Sequence, residues 1–202
     1  MSALLGVILA GGQARRMGGG DKGRTLVAGR SLIDRVVDRL APQVAGLALN
    51  ANGDPTRFAD LGLPVLPDSV GGHPGPLAGV LAGLDWAAGQ GAAAIVTAAA
   101  DTPFFPEDLA ARLTAAAQAA DTPIALAATP DPVRGTVRHP TFGLWPVALR
   151  DDLRAALADG VRKVVLWTDR HGAATALFDA PGEPFFNVNT PEDLARAEAL
   201  AP

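Results

Sequence analysis

The sequence predicts an α/β fold in three layers, a mainly parallel sheet with helices on both faces. Two observations carry this. Short β-rich runs alternate with Ala- and Leu-rich stretches of helical period along the 202 residues, the pattern of parallel strands joined by crossover helices. Polar and glycine-rich positions then recur just after those runs, where an open parallel sheet binds its ligands. Hydrophobic residues make up 49% and charged residues 19% of the chain, a usual globular balance that supports one buried core. No linker, repeat or charge block divides the chain, so residues 1–202 read as a single domain.

The elements follow in order. Leu5–Ala10 is the first strand: the apolar start has no positive leader and runs into Gly11-Gly12, which also argues against a signal peptide. Ser31–Leu40 is the first helix, with Ser31 as N-cap, Asp34 three residues on, and Leu32, Val36, Val37 and Leu40 on one face. Strands are expected at Gly46–Asn50, Pro64–Leu66 and Ala93–Thr97, with a helix at Leu77–Ala88 before the last of these. The helix Pro106–Ala119 precedes strands at Pro123–Ala128 and Thr141–Trp145. The helix Pro146–Ala158, the strand Thr175–Phe178 and the helix Pro191–Leu200 complete the chain. Proline at a helix start costs nothing, because its missing N–H would have no partner there.

Composition removes several functions. A net charge of −4 and a pI near 5.3 argue against a general nucleic-acid binder. Zero cysteines exclude disulfides, thiolate metal sites and a cysteine nucleophile, leaving oxygen or imidazole for any metal. The longest apolar stretch, Ala92–Ala100, is too short to span a membrane. A cytoplasmic protein is the expectation.

Charge is unevenly spread. Residues 11–24 hold Arg15, Arg16, Lys22 and Arg24 against Asp21 alone, a local charge of +3. Glycines from Gly11 to Gly23 let backbone N–H groups approach an anion, and the cations add mobile positive charge. This describes a polyphosphate cradle; the alternative is an ordinary surface loop of turn residues. It is no Walker A loop, since Asp21 precedes Lys22 and Gly23 follows it. A formal G-x-G-x-x-G at Gly18, Gly20 and Gly23 lies too far past the strand to be a dinucleotide fingerprint.

The run Leu9-Ala10-Gly11-Gly12 through Arg16-Met17-Gly18-Gly19 to Asp21-Lys22 resembles the signature loop of the molybdenum cofactor guanylyltransferases, in the nucleotidyltransferase superfamily. Further blocks in the same order are Asn50-Ala51-Asn52, Pro67-Asp68, Gly75-Pro76-Leu77-Ala78-Gly79, Ala100-Asp101-Thr102-Pro103, His139-Pro140-Thr141 and Phe186-Asn187-Val188-Asn189-Thr190-Pro191. The resemblance implies a Rossmann-like nucleotidyltransferase fold, with GTP in the N-terminal part and molybdopterin in the C-terminal part. It implies that GMP passes from GTP to molybdenum-loaded molybdopterin, and it leaves room for transient contact with molybdoenzymes or their chaperones. A CTP-dependent relative, a sugar-phosphate nucleotidyltransferase and a non-catalytic cofactor-delivery protein are the alternatives.

Site residues follow from both sources. Asp101 ends an Ala-Ala-Ala run with no other polar group. The resemblance makes it the Mg²⁺ ligand, a role one carboxylate can fill when phosphates and water complete the shell. Its alternative is a turn residue before Pro106. Lys22 and Arg16 would neutralise the leaving pyrophosphate, and Leu9, Ala10, Gly11, Gly12, Gly75 and Gly79 would line the nucleotide. Asn50 and Asp68 are candidates for base or ribose; a carboxylate at Asp68 matches the adjacent N1–H and N2–H₂ donors of guanine. Asn187 and Asn189 alternate around Val188 and so point the same way if extended. Two amides on one side suit a pterin, while a turn capped by Thr190 is the competing reading. His139 is either a molybdopterin contact or a structural histidine. His73 and His171 have no second ligand at metal spacing and are assigned nothing.

Overall fold

In a computed structural model, residues 3–11, 21–71, 75–179 and 182–201 are described. In chain order the elements are β1 (Leu4–Leu9), the small hairpin β2 (Leu26–Val27) and β3 (Arg30–Ser31), α1 (Leu32–Leu40), β4 (Leu47–Asn50), β5 (Val65–Leu66), α2 (Pro76–Gly89), β6 (Ala94–Ala99), α3 (Leu109–Ala119), β7 (Ala125–Asp131), β8 (Gly135–Pro146), α4 (Arg150–Ala158), α5 (Val164–Thr168), β9 (Ala174–Leu177) and α6 (Pro191–Leu200). Seven strands make one sheet in the order β5-β4-β1-β6-β8-β7-β9. All pairings are parallel except those of β8, which runs antiparallel to β6 and β7.

The chain builds outward from β1 to β4 and β5, then returns to place β6 on the other side of β1. That reversal opens a crevice at the carboxyl end of β1, the usual ligand position in such sheets. Ala10 N–H donates to Asn50 O at 2.9 Å and Ala100 N–H donates to Leu9 O at 3.0 Å. Gly11, Asn50 and Asp101 therefore stand side by side at this edge of the sheet.

Each sheet face buries its own helices. On one face Ile8, Ile33, Val36, Leu40, Leu109 and Leu113 pack with β-strand alanines; on the other Leu77, Leu81, Leu84, Leu153 and Trp167 pack with Val7, Ile95, Leu126 and Trp145 of the strands. Full burial of such a side chain contributes roughly 1.5–3 kcal/mol. A third cluster joins Val27 and Leu32 to Phe186, Val188 and Ala197. It fastens the segment carrying Asn187 and Asn189 to the hairpin that follows Lys22.

The Ser31 cap forms as the sequence predicts, with Asp34 N–H donating to Ser31 Oγ at 3.1 Å. Thr190 and Asp193 make a reciprocal capping box on α6. Some boundaries differ. The helix expected from Pro106 begins at Leu109, and the one expected from Pro146 begins at Arg150 after a 3₁₀ turn over Val147–Leu149. In both, proline stands before the helix rather than in its first turn, whereas Pro76 and Pro191 do occupy first turns. β8 is longer than the apolar run Thr141–Trp145, because its outer half, polar and half-exposed, pairs with an extended β7. The β2–β3 hairpin and α5 are too short to leave a periodic signal.

Candidate active site

Lys22 is the junction. It opens a 3₁₀ turn, Lys22–Arg24, and its ammonium reaches across the carboxyl edge of the sheet. Nζ donates to Asp101 Oδ2 at 2.6 Å, to Asn187 Oδ1 at 3.3 Å and to Asn189 Oδ1. An ammonium has three N–H donors, and three oxygens from two distant segments meet them. Val188 N–H donates to Asp101 O at 2.9 Å, which holds the two segments together. Val188 is fully buried and its neighbours are exposed, so Asn187 and Asn189 share one side, as extended alternation requires. Thr190 also caps α6; the amide pair and the cap coexist.

A second constellation lies at the ends of β4 and β5. Asn50, 2% exposed, donates from Nδ2 to Leu66 O at 3.1 Å and Asp68 Oδ1 at 3.0 Å. Asn52 donates to Asp68 Oδ2 at 2.7 Å, and Asp68 N–H donates back to Asn52 Oδ1 at 2.9 Å. Both carboxylate oxygens are thus oriented by amides. Asn50 sits against α2 because Gly79 lacks a side chain: a Cβ there would overlap Asn50 Oδ1 and lie 2.9 Å from Leu9 Cδ2. Gly75 caps α2 at φ +79°, a backbone region that favours glycine. Gly11 also faces Asn50, with its Cβ direction 3.4 Å from Oδ1.

Arg57 couples these groups. It grips both oxygens of Asp21 at 2.7 and 2.8 Å and donates to Asn52 O at 2.5 Å. With Arg24, which binds Asp60, it flanks the Phe58 ring. Asp21 is therefore tied to the Asn52–Asp68 group while its neighbour Lys22 is tied to Asp101. Neither Asn52 nor Arg57 stands among the sequence-selected site residues. Asn52 had a signal, two residues after Asn50 beyond a strand; Arg57 had none, being 36 residues from its partner.

His139 lies on the outer half of β8, stacked on Phe185, where burial holds its pKa below the ordinary histidine value. His171 belongs elsewhere: its Nε2 is 2.9 Å from Asp152 Oδ1, which also accepts from Trp167 Nε1 at 2.7 Å. Gly12, Arg16 and His73 lie outside the described residues. Among the described residues no group of three or more His, Asp or Glu side chains comes together as a metal site. No helix there is long and apolar enough to cross a membrane.

Comparison with known proteins adds the following. Residues 6–174 match the MobA-like NTP transferase domain. A molybdenum cofactor guanylyltransferase of Bradyrhizobium sp. (strain ORS 278) is 56% identical over 204 residues, covering 99% of this chain and 94% of its own length. One from Cereibacter sphaeroides is 56% identical over 199 residues, covering 98% and 96%. The crystal structure of a molybdopterin-guanine dinucleotide biosynthesis protein A from Archaeoglobus fulgidus superposes with a TM-score of 0.72 at 23% identity, covering 97% of each chain, a likeness of fold.

Proposed function

The chain belongs to the molybdenum cofactor guanylyltransferases, nucleotidyltransferases of the MobA-like type, and from that membership we propose that it transfers GMP from GTP to the terminal phosphate of molybdenum-loaded molybdopterin, releasing pyrophosphate. The observation that carries this reading is the Lys22 junction, where one cation joins Asp101 at the nucleotide crevice to Asn187 and Asn189 of the C-terminal segment. A transferase must bring two substrates to one point, and this is the point where the two halves of the chain meet.

GTP lies along the carboxyl end of β1, its base toward Asp68 and its phosphates toward Lys22, Arg16 and the backbone of Leu9, Ala10, Gly11 and Gly12. Asp68 accepts from guanine N1–H and N2–H₂; Asn50 and Asn52 hold the carboxylate in place for it. Gly75 and Gly79 keep α2 close enough to floor the site. A molybdopterin phosphate oxygen attacks the α-phosphorus in line. A phosphorus–oxygen bond forms to it, the α–β anhydride bond breaks, and pyrophosphate carries the charge away. The nucleophile is already ionised at neutral pH, so the protein supplies positioning and charge neutralisation rather than a general base.

The donor set fits Mg²⁺. Asp101 stands partly exposed at the sheet edge beside Lys22, and one carboxylate there suits Mg²⁺ with phosphates and water completing its shell. When bound it would neutralise the charge developing on the phosphates. The setting is the cytoplasm, where GTP is available.

Pyrophosphate release from purified protein, molybdopterin, Mg²⁺ and one nucleotide at a time tests the reading. GTP is expected to support turnover and CTP not; faster release with CTP would overturn the base assignment, and none with any nucleotide would overturn the transferase. Asp101→Asn should lower turnover on the order of 10²-fold or more with an unchanged circular dichroism spectrum.

A further inference from the structure

Two ion pairs hold Lys22 from either side, and both run to one short segment. Asp21, just before it, is gripped by Arg57, while Arg24, at the end of its 3₁₀ turn, donates from Nη1 to Asp60 Oδ2 at 2.8 Å and from Nη2 to Arg57 O at 2.6 Å. Arg57 and Asp60 both belong to the 3₁₀ segment Pro55–Leu61, in the connection from β4 to β5. The phosphate cation is therefore fastened to the connection between the strands whose ends carry Asn50 and Asp68.

Arg57 is the fixed point of this fastening. Its Nη1 donates to both oxygens of Asp21 at 2.7 and 2.8 Å, Nη2 donates to Asn52 O at 2.5 Å, and Nε donates to Asp54 O at 2.9 Å. The guanidinium also lies 5.1 Å from the centroid of the buried Phe58 ring. Gly53 permits the arrangement: its φ of +88°, in the region that favours glycine, turns the chain between the two carbonyls that Arg57 takes. With 39% of the Arg57 side chain and 23% of Asp21 exposed, the ion pair itself adds little to stability. What so many contacts to one guanidinium supply is direction.

We propose that Arg57 is a positioning residue that couples the two ends of the nucleotide, so that a base seated on Asp68 tightens the grip of Lys22 on the phosphates. The proposal rests on the guanylyltransferase reading and adds to it a link between its base and phosphate sites. Asn52 begins the link: its side chain donates to Asp68 Oδ2 and accepts from Asp68 N–H, while its carbonyl holds Arg57. Arg57 passes the constraint to Asp21, and the next residue is Lys22. A base on Asp68 fixes the carboxylate, Asn52 and Arg57 in turn, so phosphates arriving at Lys22 find it already held and meet less of the ordering cost. Linkage requires the reverse effect by the same factor.

The test divides GTP into guanosine and pyrophosphate, each titrated by calorimetry into the protein with Mg²⁺ present. Guanosine carries no charge, so it has no direct charge interaction with pyrophosphate, and their influence on one another passes through the protein. In the parent, saturating guanosine should tighten pyrophosphate binding about tenfold. Arg57→Met, which keeps an apolar stem against Phe58, should bring that factor close to one while guanosine alone binds as it does to the parent. Arg57→Lys should keep the parent's melting temperature yet lose most of the coupling, because a compact ammonium lacks the planar fork that reaches Asp21 and Asn52 O together. Coupling that survives in folded Arg57→Met or Arg57→Lys overturns the proposal. Loss of guanosine binding in both variants with a lowered melting temperature makes Arg57 a structural residue only, and overturns it too. A parent that binds both ligands independently refutes the link and leaves the guanylyltransferase reading standing. A parent that binds neither refutes the nucleotide site itself, and the link falls with it.

Discussion

A lysine ammonium strips its hydration on entering a half-buried site, and Lys22 recovers that loss through one carboxylate and two amide oxygens. In the second constellation, the position of Asp68 depends on neighbours that offer no charge of their own. Gly79 is one: its missing Cβ leaves room for Asn50, which orients Asp68. Gly79→Ala should therefore push Asn50 off Asp68, costing about 1–3 kcal/mol through overpacking and raising the KM for GTP more than it lowers kcat; steady-state kinetics beside a urea melt separate the two. His139 sets a pH dependence. Its folded-state pKa lies below its unfolded value because burial disfavours the imidazolium, so the unfolded chain binds the extra proton. Its contribution to stability is complete above the unfolded value, about 6.5, and is lost as pH falls from there through the folded value. Denaturant midpoints measured downward from pH 7.5 should decline across that window, and His139→Phe should flatten this part of the curve.

At the scale of elements, α6 does more than close the chain. Its capping box fixes Thr190, and Asp193 Oδ2 accepts from the N–H groups of Asn189 and Thr190, each at 2.9 Å. The helix start thereby orients the amide that reaches Lys22. Thr190→Ala should cost about 1 kcal/mol and also lower turnover, with pyrophosphate release as the readout; a stability loss with full turnover would mean that the cap is structural only. Helix starts of this kind were legible in the sequence, because a cap is a local hydrogen bond with a fixed three-residue spacing. The first helix turn of α3 was not, since nothing in Pro106-Glu107-Asp108 distinguishes a proline inside a first turn from one just before it. The outer half of β8 was illegible for a different reason: its stability comes from pairing with β7 rather than from an apolar face of its own.

For the whole molecule, both halves contribute to one junction, so ligand binding should stabilise the fold as a unit. GTP with Mg²⁺ at a hundred times its Kd adds about 2.7 kcal/mol, which for a chain of this size is a rise in Tm of roughly 5–10 °C; Asp101→Asn should reduce that rise, as scanning fluorimetry would record. The alternation of apolar runs and helical periods determined the α/β class, and the polar residues at strand ends marked the edge that carries the candidate site. Those are properties of short segments, where side-chain period and backbone preference act within a few residues. Only the tertiary structure decided that Lys22 meets Asn187 and Asn189 across 165 and 167 positions of chain. It alone set Arg57 on Asp21 and turned His139 onto Phe185 through a bulge. Such contacts depend on where strands fall in the sheet and on where a helix lacks a Cβ, and no local pattern encodes that order.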